Sequence, residues 1–199
     1  MRLFAIDPGT TWSAFMVYAP DDSDGPIARK GILPNEEVLA ALTSAAFPTG
    51  SGAADECVIE MVASYGMAVG AEVFETVRWI GRFEERWSAN ANGKAVARMV
   101  RKDVKMHLCG NNRAKDANIR QALIDRFGPG KEKAIGKKTQ PGPLFGVKED
   151  IWAALALAVT YHDSRRSKLE QTLIRAAVEV GKWPEWKRGG TAAIPRVAP

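Results

Sequence analysis

The feature that most constrains this chain is residues 1–18, two apolar stretches hinged on Asp7-Pro8-Gly9-Thr10-Thr11. Leu3-Phe4-Ala5-Ile6 runs into a single carboxylate, the chain turns, and Trp12 to Tyr18 is mostly apolar again. The pattern predicts a strand, a tight turn and a second strand, with Asp7 at the tip of the first. Pro8 restricts φ and Gly9 frees it, so the chain can reverse at once. A carboxylate at the end of a buried strand is costly unless a countercharge meets it. A divalent metal is one such countercharge. Capping of the turn, for which Asp is also favoured, is the other reading of Asp7.

Charge is distributed unevenly. Residues 1–93 hold six Lys/Arg against thirteen Asp/Glu, residues 94–148 fourteen against four, and residues 164–199 eight against three. An acidic half that contains Asp7 therefore precedes a basic middle and a basic tail. Such asymmetry suits a polyanion held by one part while carboxylates work in another; a basic face that is merely solvated is the plainer reading. No apolar run reaches the roughly 20 residues of a membrane span, and Asp7 and Pro8 interrupt any signal-peptide pattern. Cys57 and Cys109 lack metal-ligand spacing. Reduced, core-facing thiols in a cytoplasmic protein are expected.

Further along, 27–33 reads as a strand and 35–42 as a helix, with Asn35 as N-cap and Glu36 and Glu37 in its first turn. A Gly/Ser/Pro loop covers 47–54. Residues 56–61 form another short apolar strand that carries a carboxylate near its end, Glu60. Val73, Phe74, Val77, Ile80 and Phe83 recur at helical spacing, which predicts a core-facing helix over 71–87. A polar loop (88–94), a strand (95–100) and a basic segment (101–105) follow. A helix to Phe127 is closed by Gly128. Residues 129–143 are rich in Gly, Pro and Lys, too poor in apolar residues to pack, and predict a mobile basic flap. Residues 146–150 open a buried, Ala-rich helix over 151–161, with Glu149 and Asp150 in its first turn, where the dipole favours them. A separate amphipathic helix is expected over 164–181, then a loose tail with Trp183 and Trp186.

Three carboxylate sites thus stand at Asp7, Glu60 and Glu149/Asp150. Adjacent parallel strands, with the helix packed on the sheet, would gather them at one edge. Like charges that close repel, and two Mg²⁺ or Mn²⁺ ions, hard cations that prefer oxygen ligands, would neutralise them. A metal pair about 4 Å apart can activate water and stabilise the leaving oxygen in phosphodiester hydrolysis.

Phe4-Ala-Ile-Asp7-Pro-Gly-Thr10 resembles the opening motif of the RuvC family of Holliday-junction resolvases, and Val58-Ile-Glu60-Met-Val62 its second motif. Asp103-Val-Lys105, with Gly110-Asn-Asn-Arg113-Ala-Lys115-Asp116, resembles its basic DNA-contacting segment, and the stretch from Glu149 to Ala158 its last motif. The resemblance covers 1–162, in order. It implies an α/β, ribonuclease-H-like fold, a mixed central sheet with helices on both faces. It implies a nuclease domain over 1–163, with the basic loop 129–143, and a C-terminal extension over 164–199, as in a phage or prophage version. It also implies a homodimer and Mg²⁺-dependent nicking of four-way DNA junctions, with Asp7, Glu60 and Asp150 as metal ligands. Lys102, Lys105, Arg113 and Lys115 are the expected phosphate contacts, which position DNA without reading sequence. Tyr65 or Met67, in the loop after Glu60, is the expected wedge at the junction centre, unstacking bases at a few kcal/mol per step.

One position departs from the family. A further Asp usually stands three residues beyond Asp150; here it is Ala153. Either Glu149 substitutes, or the metal geometry differs, or the chain binds branched DNA and cuts weakly. His107 and His162 sit on no motif and read as ordinary histidines. An actin-like ATPase shares an Asp-x-Gly-Thr-Thr hairpin, but needs a second phosphate loop for which 199 residues leave no room. A junction-binding protein, or a nuclease of the same fold acting on other branched DNA or on RNA, remains as an alternative.

Overall fold

The computed structural model describes residues 1–43, 54–64, 66, 68–90 and 95–181. Strand β1 (Leu3–Asp7) runs antiparallel to β2 (Trp12–Tyr18), with Asp7 opposite Ala14. A buried polar triangle holds the reversal between them. The Gly9 N–H donates to Ser13 Oγ (3.2 Å), the Ser13 hydroxyl donates to Asn35 Oδ1 (2.6 Å), and Asn35 Nδ2 donates to the Gly9 carbonyl (3.0 Å). Ser13 and Asn35 are buried, so these bonds satisfy groups that would be costly to leave unpaired. The Asn35 side chain, expected to cap a helix, is committed to the turn instead. Gly9 also has a different reason from the one expected. Its φ is not left-handed; a Cβ there would overlap the Trp12 carbonyl oxygen. Gly9→Ala should therefore cost about 2 kcal/mol and lower Tm by roughly 4–8 °C in a thermal melt. An unchanged Tm would mean that the turn relaxes freely.

Strand β3 (Ile27–Pro34) pairs with β2 and leads directly into helix α1 (Asn35–Thr43). Strand β4 (Glu56–Met61) returns parallel to β1, and β5 (Ala97–Val100) runs parallel to β4. The sheet order is β3-β2-β1-β4-β5, a mixed sheet. Alternate residues face opposite sides. Phe4, Ile6, Phe15, Val17, Cys57 and Ile59 pack against α1 and α2 (Ala71–Asn90), through Val38, Leu39, Ile80 and Phe83. Leu3, Ala5, Ala14, Met16 and Val58 meet the opposite layer, where α4 (Asp116–Phe127) contributes Ile119 and Leu123 and α6 (Ile151–Gly181) contributes Ile151, Trp152 and residues 154–159. Each large apolar side chain so buried stabilises the fold by roughly 1.5–3 kcal/mol. Tyr161 ties α6 to the sheet, its hydroxyl donating to Glu56 Oε2 at 2.7 Å.

Several expectations need correction. Residues 101–105, read as a basic segment, open helix α3 (Arg101–Cys109), closed by Gly110 in the left-handed conformation. Gly128 ends α4 with φ 172°, an extended conformation, so it is no left-handed cap. Its lack of a Cβ matters because the backbone of Ala134 lies 2.8 Å from where that atom would be. The segment 129–143 is not an unpacked flap. It folds as helix α5 (Lys131–Ala134) and a short hairpin, β6 (Gly136–Lys137) with β7 (Gln140–Pro141). Ala134 and Leu144 are fully buried, and Gly142 lets its backbone meet the carbonyls of Lys133 and Ala134. Finally, α2 continues to Asn90, and α6 is unbroken from Ile151 to Gly181. No Gly or Pro interrupts 151–180, so the polar shift at 162–164 does not end the helix.

The chain divides into two compact units, 1–162 and 163–199. All the packing above lies in the first. In the second, Leu169, Leu173, Ile174 and Val178 of α6 are exposed. The expected tail with Trp183 and Trp186, and nearly all of the 47–54 loop, lie outside the described residues. No helix among the described residues is long and apolar enough to cross a membrane.

Candidate active site

Parallel pairing sends the C-terminal ends of β1, β4 and β5 to one edge of the sheet. The register Ile6↔Ile59 brings Asp7 beside Glu60, and Glu60 lies opposite Met99 of β5. By strand parity Asp7 and Glu60 share the face of Ala5 and Val58, the face covered by α6. Asp150 reaches the same edge from the turn that enters α6. It precedes that helix rather than lying in its first turn, and its carbonyl accepts the Ala154 N–H at 3.2 Å. Glu149 is the reason: its φ of 48°, a left-handed value, stops the helix from starting earlier.

Burial and crowding perturb this edge. The Asp7 carboxyl is pushed up to about 7, first by burial and then by the charge of Glu60, with smaller contributions from Asp150 and Asp116. Burial also raises Glu60, against the pull of Arg101 and Lys105. Perturbed acids clustered at one edge are a mark of functional sites.

Two members of the cluster were not singled out in the sequence. Arg101, the first residue after β5, donates to Glu60 Oε2 at 3.2 Å and to Asp116 Oδ1 at 2.9 Å. Its own burial works against its charge, but Glu60, Asp116 and Asp7 hold its proton more firmly than usual. The only available signal was an Arg at the joint of a strand and a helix, in a run of similar basic residues.

The expected DNA contacts lie on and after α3. Lys102, Arg113 and Lys115 are exposed and Lys105 is half-buried, and none makes an ion pair among the described residues. Lys105 stands close enough to Glu60 to favour its charged form. Glu149 is placed elsewhere than expected. It is not among the charges that act on Asp7, and it lines a neighbouring groove with Trp12. Tyr65 and Met67 lie outside the described residues. His162 packs edge-on against Tyr18. Ala153 is half-buried one turn after Asp150.

The donor set is all carboxylate oxygen, which suits a hard divalent cation, and a buried carboxyl displaced to about 7 marks a deficit of positive charge. Among the described residues no three acid, His or Cys side chains stand at metal-holding distances. Arg101 already occupies Glu60, so the residues fit a metal in their chemistry once that guanidinium has moved away.

No family model and no curated protein matches the sequence. Solved structures do match the fold. The Thermus thermophilus RuvC structure superposes with a TM-score of 0.57 at 17% identity, covering 84% of this chain and 97% of that one. T. thermophilus RuvC in complex with a Holliday junction substrate gives a TM-score of 0.59 at 16% identity, covering 84% and 96%. The chain therefore has the RuvC-like, ribonuclease-H-like α/β fold.

Proposed function

We propose that this chain is a divalent-metal-dependent endonuclease that binds four-way DNA junctions and resolves them by paired phosphodiester hydrolysis. The observation that carries the reading is the gathering of Asp7, Glu60 and Asp150 at one sheet edge. The fold around them is shared with a RuvC bound to a Holliday junction. Asp7, Glu60 and Asp150 would hold Mg²⁺ or Mn²⁺, which when bound supplies a Lewis acid for water activation and leaving-group stabilisation.

The chain's own residues do the rest. Asp7 must be ionised to act, which its burial opposes. Arg101 keeps Glu60 and Asp116 oriented until the site is loaded. Lys102, Lys105, Arg113 and Lys115 draw phosphates to the edge; attraction of this kind is independent of sequence and screened by salt. Residues 1–162 form the catalytic unit. Each protomer carries one carboxylate cluster, so nicking two strands of a junction in a pair calls for a homodimer.

The test is cleavage of a labelled four-way junction beside a linear duplex of the same arms, with and without Mg²⁺ or Mn²⁺. Paired, metal-dependent nicks in the junction alone are expected. Equal cutting of the duplex, or no cutting with either metal, would overturn the reading. In the same series, Lys105→Ala with Lys115→Ala should weaken junction binding at every sequence. It should also flatten the plot of log affinity against log salt by about two, since each duplex phosphate contact contributes roughly 0.9. An unchanged slope would remove both lysines from the contact surface.

A further inference from the structure

We propose that the groove between the start of β2, the edge strand β3 and the segment before α6 is a second DNA subsite, one that takes an unpaired nucleotide next to the carboxylate edge. The groove has a volume of about 680 Å³ and is lined by Trp12, Arg29, Lys30, Gly146, Lys148 and Glu149, among others. That volume falls within the roughly 300–1,000 Å³ of small-molecule sites and suits a base with its phosphate.

Each wall has a use. Trp12 is 57% exposed, a large apolar surface left to water, and it makes no ring or cation contact among the described residues. It shares a sheet face with Ala14 and Met16, and Lys30, opposite Met16, lies on that same face. The stem of Lys30 runs past Gly146, where a Cβ would stand 3.5 Å from Lys30 Cε. Half-buried, Lys30 forms no ion pair among the described residues, and burial weakens its hold on the proton. Lys148 is exposed and equally free of an ion pair among them. Arg29 lines the groove only from the strand, since it is paired with Val17 and its guanidinium lies 6.0 Å from the centre of the Phe15 ring, on the α1/α2 face. Glu149 is the one acid. Two lysines against one carboxylate select an anion, and an exposed indole selects a flat ring.

A phosphate joined to an aromatic base satisfies both. The base must be unpaired, because bases inside a duplex offer edges to a protein and keep their faces stacked on each other. Glu149 and Ile151 flank Asp150, so a strand seated here leads directly to the carboxylate edge. The inference rests on the nuclease reading for its biological meaning, but not for its test.

That test is anisotropy of a labelled oligodeoxythymidylate of about 12 nucleotides, within the roughly 4–16 of single-strand sites. It is titrated with the full chain in the absence of divalent metal. Trp12→Ala should weaken binding roughly 5- to 150-fold, the range of one base–aromatic stack, and Trp12→Phe should retain most of the affinity. Lys30→Gln with Lys148→Gln should flatten the salt slope by about 1.4, at roughly 0.7 per single-strand phosphate. A thermal melt of each variant separates lost contacts from lost fold. Wild-type affinity in Trp12→Ala, or an unchanged slope in the double variant, would overturn the subsite. A junction that is neither bound nor cut while Trp12 still governs the oligonucleotide would overturn the nuclease reading alone. A junction that is cut normally while Trp12→Ala binds the oligonucleotide like wild type would overturn the subsite alone.

Discussion

Asp7→Asn is expected to abolish cleavage, to leave junction binding equal or tighter, and to make the metal-free protein more stable at pH 8 than the wild type. The first two effects follow from removing a metal-ligating carboxylate that also repels phosphate. The third follows from burial. The folded state holds the Asp7 carboxyl at about 7 against 3.8 for the ordinary group, chiefly by desolvation and the Glu60 charge. A raised acid favours the folded state fully below its unfolded pKa, and that stability is lost as pH climbs through the folded value. Metal-free wild type should therefore weaken between about pH 4 and pH 7. At about 1.4 kcal/mol per unit, the loss has a ceiling of about 4 kcal/mol. Asn has no charge to desolvate, so the two proteins should converge at pH 4 and diverge at pH 8. Thermal melts across that range, in chelator, would show it. Parallel pH profiles would mean that Asp7 is not buried among the carboxylates, and retained cleavage would remove it from the site.

Arg101→Gln should move stability the other way. The guanidinium is the positive charge that meets Glu60 and Asp116, with its side chain 29% exposed. Removing one partner from a buried pair costs about 3–5 kcal/mol. Partial exposure reduces this, and a loss of about 2 kcal/mol at pH 8 without metal is expected. The same change frees Glu60. Mn²⁺ affinity, measured by calorimetry on protein without DNA, should rise about tenfold, equivalent to about 1.4 kcal/mol. The added Mn²⁺ should also lift Tm further than in wild type, since a ligand that binds only the folded state stabilises it in proportion to its affinity. Unchanged Mn²⁺ affinity would show that Arg101 does not compete for the site.

Legibility of the chain in its sequence followed the physics of each element. The strands around Asp7 and Glu60 are legible because short continuous apolar runs ending in a carboxylate, and the Pro-Gly turn after the first, are local signals. Helix α3 is not, because Val104 is its one fully buried residue and a single anchor leaves no periodic stripe. The 129–143 segment is not legible in the sequence because its packing is close backbone approach at Gly128, Gly136 and Gly142, which an apolar count does not register. Gly9 reads from the sequence as a source of conformational freedom in the turn, whereas its role is room beside the Trp12 carbonyl.

The sequence by itself determined that carboxylates would end two strands and precede one buried helix, since those are matters of neighbouring residues. Only the tertiary structure decided which charges meet. The pairing of β1 with β4 and β4 with β5 brings Arg101 and Asp116 to the edge where Asp7 and Glu60 end. A left-handed Glu149 turns its own carboxylate towards the Trp12 groove, apart from the charges that act on Asp7. Coulombic energy depends on distance through space, and these distances join residues as much as 143 apart in number, Asp7 and Asp150.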